Sequence, residues 1–130
     1  MLDYRVAIET GATLLAAERA QPEQLERLDA LVTRMADSED FADYRRADIR
    51  FHIGIAEAAS SPRLVSLMAE VQTQMSDLIT LIAHPQEVLA HSNDQHAQLV
   101  RLLRRGDSSR AVRLMRAHIE GTEHILAGLI

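Results

Sequence analysis

Asp48 and His52 are four residues apart in a stretch with a helical pattern, so their side chains lie one above the other on one face. That face is otherwise apolar, because Ile49 and Ile55 flank His52 at a spacing of three residues. A buried carboxylate costs several kcal/mol unless it is paired or bound to a metal. Two arrangements are therefore open: the two side chains bond to each other or to the backbone, or both bind a metal ion.

Two further histidines lie on the last two predicted helices. His96 is ten residues before Gly106, which begins the turn Gly106-Asp107-Ser108, and His118 is twelve residues after it. In an antiparallel hairpin the two imidazoles are then nearly level, roughly 15 Å from the turn at about 1.5 Å per residue. Both belong to apolar helix faces. With Asp48 and His52 they form a candidate set of four nitrogen and oxygen ligands inside a helical bundle.

Composition limits the classes of function. The 130 residues are 47% hydrophobic and 25% charged, which is typical of one globular domain. There is no cysteine, so disulfides, thiolate nucleophiles and cysteine–zinc sites are excluded. A net charge of -5 and only two Tyr and two Phe argue against direct binding of nucleic acid. The absence of a long apolar run and of a charged-then-apolar leader predicts a cytoplasmic protein without a membrane partner.

Apolar periodicity and helix-stop residues predict helices throughout. The predicted helices run from Leu2 to about Ala20, Pro22 to about Ala36, about Asp40 to Ala59, Pro62 to about Ile82, about Ser92 to Arg105, and from Ser108 onward. The third helix has a possible early break near Phe41 and Tyr44, and residues 85–92 are predicted to be a link or a short helix. The fourth helix is the most hydrophobic, and we expect it to be central.

Three smaller features have ordinary interpretations. Arg5 and Glu9, four residues apart, fit a surface ion pair. Residues 37–40 are acidic or polar and fit a solvated link that places negative charge at the start of a helix. Gly54 costs about 1 kcal/mol relative to Ala in a helix. Either a neighbouring helix or a ligand approaches closely there, or the glycine is simply tolerated.

Spaced motifs carry a resemblance to a known family. They are Asp48-x-x-Phe51-His52, Ala58-Ala59-Ser60-Ser61-Pro62, His96 with Gly106-Asp107, and Met115-x-x-His118, preceded by Arg5-x-x-x-Glu9. Over nearly the whole chain, this pattern resembles the FCD domain, the effector-binding C-terminal domain of the FadR subfamily of GntR-type bacterial transcription regulators. One departure is Ser61, where the family more often has Asn. Both residues are good N-caps.

The resemblance implies an all-α fold, an antiparallel bundle of six to seven helices, with residues 1–130 as a single C-terminal ligand-binding and dimerisation domain. The N-terminal winged helix-turn-helix domain that precedes it in the family is absent from this chain, so we expect a longer regulator that binds DNA through that domain. A homodimer is expected by resemblance alone.

The resemblance also implies a site. Asp48, His52, His96 and His118 match the family's ligands for a divalent metal, commonly zinc or nickel. The effector is expected to be a small organic acid, with Arg5 near its acid group. Asn93, one turn before His96, is a candidate polar contact to the ligand, and the alternative is an N-cap.

Two histidines remain, and two other classes of function compete. His91 is expected on the surface or at a cavity mouth, and His124 on the surface. A metal-dependent hydrolase or oxygenase is one alternative, since an open metal position can activate water. The sequence offers no partner base for it, such as an H-E-x-x-H motif. The other alternative is a purely structural helical dimerisation module with packed histidines.

Overall fold

The computed structural model describes residues 3–79 and 85–127, except for the side chains at positions 123 and 125–127. Within these ranges the chain forms six helices and no strand. The helices are α1 (Asp3–Arg19), α2 (Pro22–Ala36), α3 (Phe41–Ala58), α4 (Pro62–Ile79), α5 (Gln86–Arg104) and α6 (Ser108–Ala127). The predicted all-α bundle is confirmed. None of the described helices is both long and apolar enough to cross a lipid bilayer.

Two predicted boundaries are wrong. Helix α3 is continuous from Phe41, without a break near Tyr44. Helix α5 begins at Gln86 rather than near Ser92. Of the two alternatives for residues 85–92, a link or a short helix, the helical one is closer, but these residues are the first turns of α5 and not a separate helix. Pro85 occupies the N-cap position, and its carbonyl accepts the first backbone hydrogen bonds of the helix. The predicted end of the fourth helix near Ile82 lies outside the described residues.

Side chains at the helix starts satisfy backbone groups as the sequence predicts. Ser61 Oγ accepts a hydrogen bond from Leu64 N at 3.3 Å, with Pro62 as the first helical residue of α4. Asp40 Oδ1 accepts one from Asp43 N at 2.8 Å at the start of α3. Within the acidic link at residues 37–40, Asp40 is therefore the N-cap of α3, and Asp37, Glu39 and Asp40 are exposed.

The turn between α5 and α6 sets the relative height of their histidines. Gly106 has a φ of +67°, which L side chains rarely adopt. Its N–H donates to Leu103 O, and Asp107 N donates to Leu102 O, which together close the end of α5 in a Schellman arrangement. Asp107 Oδ1 then accepts from Arg110 N and caps α6. One compact turn therefore fixes how α5 and α6 align.

Helix α1 is the central helix, and the expectation that α4 would be central is wrong. Helix α1 packs against α3, α4, α5 and α6, whereas α4 packs mainly against α3 and α1. Small side chains on α1, including Ala12, Thr13 and Ala16, are fully buried and allow its neighbours to approach closely. By contrast, Leu78 of α4 is 40% exposed, although α4 is the most hydrophobic of the predicted helices.

Helices α2 and α3 approach closely at Gly54. A Cβ built at this position would lie 2.9 Å from Leu28 Cδ2 of α2, inside normal contact distance. The interpretation of Gly54 as a point of close helix approach is therefore confirmed.

Candidate metal centre

Three helices bring four predicted ligands together. Helix α3 supplies Asp48 and His52, α5 supplies His96, and α6 supplies His118. The ring centroid of His52 lies 5.5 Å from that of His96 and 5.5 Å from that of His118. The ring centroids of His96 and His118 are 4.7 Å apart. One ring nitrogen from each histidine lies within 4.8 Å of the other two, and all three side chains are buried. The hairpin therefore places its two histidines level, as the spacing predicts.

The carboxylate of Asp48 lies against two of these imidazoles. Asp48 Oδ1 is 3.1 Å from His52 Nε2 and 3.3 Å from His96 Nε2. Within the described part of the chain, none of these three buried atoms has a hydrogen bond of acceptable geometry. A buried polar atom left without a partner costs about 1–3 kcal/mol. Three such atoms that converge on one point fit the ligand set of a divalent cation.

The opposite ring nitrogens face hydrogen-bond acceptors. The contacts are His52 Nδ1 with Glu9 Oε1, His96 Nδ1 with Asn93 Oδ1 at 3.1 Å, and His118 Nδ1 with Gln95 Oε1 at 2.7 Å. Carboxylate and amide oxygens only accept hydrogen bonds, so each Nδ1 carries a proton and donates it. This leaves the Nε2 atoms to coordinate an ion, which is how metal-binding histidines are usually held.

Asn93 orients His96, and its alternative interpretation as an N-cap is wrong. It lies within α5, because the helix begins earlier than predicted. Its Nδ2 donates to Val32 O at 3.0 Å, which fixes the amide so that Oδ1 faces His96. Gln95 was missed by sequence reasoning, since its contact with His118 crosses from α5 to α6 and leaves no spacing signal in the sequence.

Arg5 and Glu9 form a buried ion pair, so their interpretation as a surface pair is wrong. Arg5 is 4% exposed and Glu9 0%, because α1 runs through the middle of the bundle. Arg5 Nε donates to Glu9 Oε2 at 2.5 Å, and the other carboxylate oxygen contacts His52. Among the described residues, the buried Arg5 Nη1 has no hydrogen-bond acceptor. The four-residue spacing was visible in the sequence, but the burial was not.

Arg45 holds the second oxygen of Asp48. Its Nη1 donates to Asp48 Oδ2 at 2.7 Å, and its Nη2 donates to Gln72 O at 3.0 Å and to Ser76 Oγ at 3.3 Å. Sequence reasoning missed this residue. The guanidinium joins α3 to α4 and fixes the carboxylate so that Oδ1 faces the histidines.

The charges in the cluster shift the pKa of each member. Burial alone would raise the pKa of both carboxyls, but His52 with Arg5 lowers that of Glu9, and His52 with His96 lowers that of Asp48. Burial would lower the pKa of His52, but the two carboxylates outweigh it and raise the value to about 9. Burial lowers the pKa of His96, and burial together with the neighbouring imidazoles lowers that of His118 well below its usual range.

A cavity of about 100 Å³ opens beside the cluster. Its polar lining consists of Tyr44, Asp48, Ser92, Gln95, His118 and Thr122, together with His91. His91 is exposed and lies at the cavity mouth, and His124 is exposed. Room for several water-sized groups next to the ligand atoms suits a small molecule rather than a polymer.

Comparisons with known proteins agree with one another. A family model described as the FCD domain matches residues 1–121. The chain is 26% identical to the HTH-type transcriptional regulator LutR of Bacillus subtilis over 98% of this chain and 61% of the relative. It is 32% identical to the putative HTH-type transcriptional regulator RmpR of Mycobacterium gastri, over 90% of this chain and 43% of the relative.

A solved structure supports the same fold. The chain of Escherichia coli McbR/YncC superposes with a TM-score of 0.88 at 17% sequence identity, covering 99% of this chain and 67% of that one. At this identity the likeness establishes the fold alone. The present chain spans about half the length of the curated relatives it matches.

Proposed function

The chain belongs to the FCD domain family, and on that premise we propose that it is the effector-sensing domain of a GntR-type transcription regulator of the FadR subfamily. The relatives are named as transcriptional regulators and the FCD domain is a regulatory domain, so the chain is not an enzyme. In the proposed regulator, a winged helix-turn-helix domain elsewhere in the longer cytoplasmic protein binds DNA. Two copies of the regulator form a homodimer.

Asp48, His52, His96 and His118 hold a divalent metal ion in this proposal, with zinc or nickel as the candidates. The observation that carries it is the convergence of Asp48 Oδ1 with the Nε2 atoms of His52 and His96, none of which has a hydrogen bond of acceptable geometry within the described chain, while the Nδ1 of each of the three histidines faces an acceptor. This nitrogen and oxygen donor set, without cysteine, suits either metal. When bound, the ion would supply positive charge that attracts and coordinates an anionic group.

The effector is proposed to be a small organic acid. The cavity of about 100 Å³ admits a molecule of several non-hydrogen atoms, and Asp48 and His118 line it, so a ligand in the cavity lies next to the proposed ion. Arg5, which the resemblance places near the acid group, is not among the residues that line this cavity. Its buried guanidinium is engaged by Glu9 through Nε, and its Nη1 is not hydrogen-bonded within the described chain. Asn93 supports the site through His96 rather than through the ligand.

Metal analysis of the purified chain tests the proposal. The protein is stripped with a chelator, reloaded with zinc or nickel, desalted and measured for bound metal, and then titrated by calorimetry. We expect about one ion per chain and a loss of at least tenfold in affinity for His96→Ala and for His118→Ala. His124→Ala is the matched control, because that imidazole is exposed and on the same helix as His118.

Equal metal content in wild type and in both cluster variants would refute the metal site and favour the structural alternative, in which the histidines only pack. A thermal-shift screen of small mono- and dicarboxylates, with and without the metal, then tests the effector. Stabilisation by an acid should depend on the metal. Stabilisation of equal size in the stripped protein would contradict binding of the acid next to the ion.

A further inference from the structure

Glu9 is a fully buried carboxylate at the centre of the bundle. It is 0% exposed, and its two oxygens have different partners. Oε2 accepts the hydrogen bond from Arg5 Nε, and Oε1 contacts His52 Nδ1. An uncompensated buried carboxylate is costly, so both contacts are needed to keep Glu9 ionised there.

We propose that Glu9 is a positioning residue of the metal centre, which holds the ring of His52 so that Nε2 faces the other ligands; this rests on the proposed function. Helix α1 contributes no predicted metal ligand, yet Glu9 of α1 contacts His52 of α3. The contact fixes two properties of His52 at once. It keeps the proton on Nδ1, and it sets the rotation of the ring about its bond to Cβ.

Glu9 differs from the acceptors that hold the other two imidazoles. Asn93 and Gln95 present neutral amide oxygens to His96 and His118. An ionised acceptor makes a hydrogen bond roughly twice as strong as a neutral one and makes the imidazole a stronger electron donor. His52 is therefore the ligand whose donor strength depends most on its outer partner, and Arg5 balances the charge that Glu9 adds.

Two variants at position 9 distinguish the effect of the negative charge of Glu9 from the effect of its hydrogen-bond acceptor. Glu9→Gln keeps an acceptor oxygen, and Glu9→Leu removes it. For zinc alone, we expect an affinity about tenfold lower for Glu9→Gln and up to about a hundredfold lower for Glu9→Leu. Proton–nitrogen NMR of the zinc-loaded protein should show the His52 Nδ1 proton in wild type and in Glu9→Gln. That signal should be lost by exchange with water in Glu9→Leu.

Thr13→Val is the matched control, since Thr13 is also fully buried on α1 but its hydroxyl donates to the backbone carbonyl of Glu9, so the substitution leaves the Glu9 carboxylate in place. It should bind zinc as wild type does. Glu9→Leu leaves the buried guanidinium of Arg5 without its ion-pair partner, and the double variant Arg5→Leu/Glu9→Leu removes that charge as well. The double variant should still bind zinc at least tenfold more weakly than wild type.

Two outcomes are distinguishable. If wild type binds no zinc, the proposed metal site fails. If wild type binds zinc and Glu9→Leu binds within about twofold of it with an unchanged His52 signal, the role of Glu9 is overturned while the metal site stands.

Discussion

Metal binding should release about one proton per chain near pH 7.5, and that proton should come from His52. Burial lowers the pKa of this imidazole, but Glu9 and Asp48 flank it and raise the pKa to about 9. In the metal-free chain at neutral pH we therefore expect a second proton on Nε2, which faces Asp48. A cation that binds Nε2 has to displace the proton there. The Nδ1 proton facing Glu9 stays in place.

The other three proposed metal ligands should add little to the number of protons released on metal binding. Burial lowers the pKa of His96 and of His118 below the ordinary 6.5, so both are already neutral near pH 7.5. The pKa of Asp48 is also lowered, so this carboxyl is already ionised. The number of protons released should thus stay near one between about pH 7.5 and 8 and fall to about one half near pH 9. Over the lower range the apparent metal affinity should rise about tenfold per pH unit.

The same pKa shift affects stability without metal. A histidine whose pKa is raised on folding stabilises the native state fully below its unfolded pKa, near 6.5. That contribution is lost as the pH rises through about 9. The lowered pKa of His118 acts in the opposite direction, because its contribution is present above about pH 6.5 and is lost as the pH falls below that value.

Calorimetry measures the proton count directly. Zinc titrations near pH 7.5 in buffers of different ionisation enthalpy give observed enthalpies whose slope against that enthalpy is the number of protons released. His52→Gln should reduce the slope to near zero, and His124→Ala should leave it unchanged. A wild-type slope near zero, or near two or three, would refute the assignment of the charge to His52.

Two further predictions concern the frame around the site. Gly54→Ala should not raise the free energy of unfolding, because the new Cβ would lie 2.9 Å from Leu28 Cδ2. Gly11→Ala, where no atom lies within 4 Å of the new Cβ, should raise it by up to about 1 kcal/mol. Equal gains for the two variants in chemical denaturation would contradict this. Arg45→Met should lower zinc affinity about tenfold in competition titrations, because Asp48 loses its second anchor. Unchanged affinity would show that this anchor is dispensable.

The four candidate metal ligands could be predicted from the sequence because their signals are local. Asp48 and His52 are one helical turn apart, and the relation between His96 and His118 needs only the position of Gly106 and the rise of a helix. Errors of a residue or two at helix ends change these heights little. The structure brings together all four residues that the sequence selected.

The outer partners could not be found in the same way. Glu9 and Arg5 have the spacing of an exposed ion pair, and only the central position of α1 buries them. Hydrophobicity favoured α4 as the central helix, but close approach between helices depends on small side chains such as Ala12 and Ala16. Contacts between different helices, such as that of Gln95 with His118, leave no periodic trace in the sequence.

X-ray absorption by the zinc-loaded chain tests the central claim most directly, since it detects the atoms around the ion itself. The proposed site predicts a first shell of nitrogen and oxygen atoms only, at about 2.0–2.2 Å, with multiple scattering from about three imidazoles. His96→Ala and His118→Ala should each remove about one imidazole from that shell. A spectrum with no more than one imidazole in the wild-type protein would contradict a metal centre built from His52, His96 and His118.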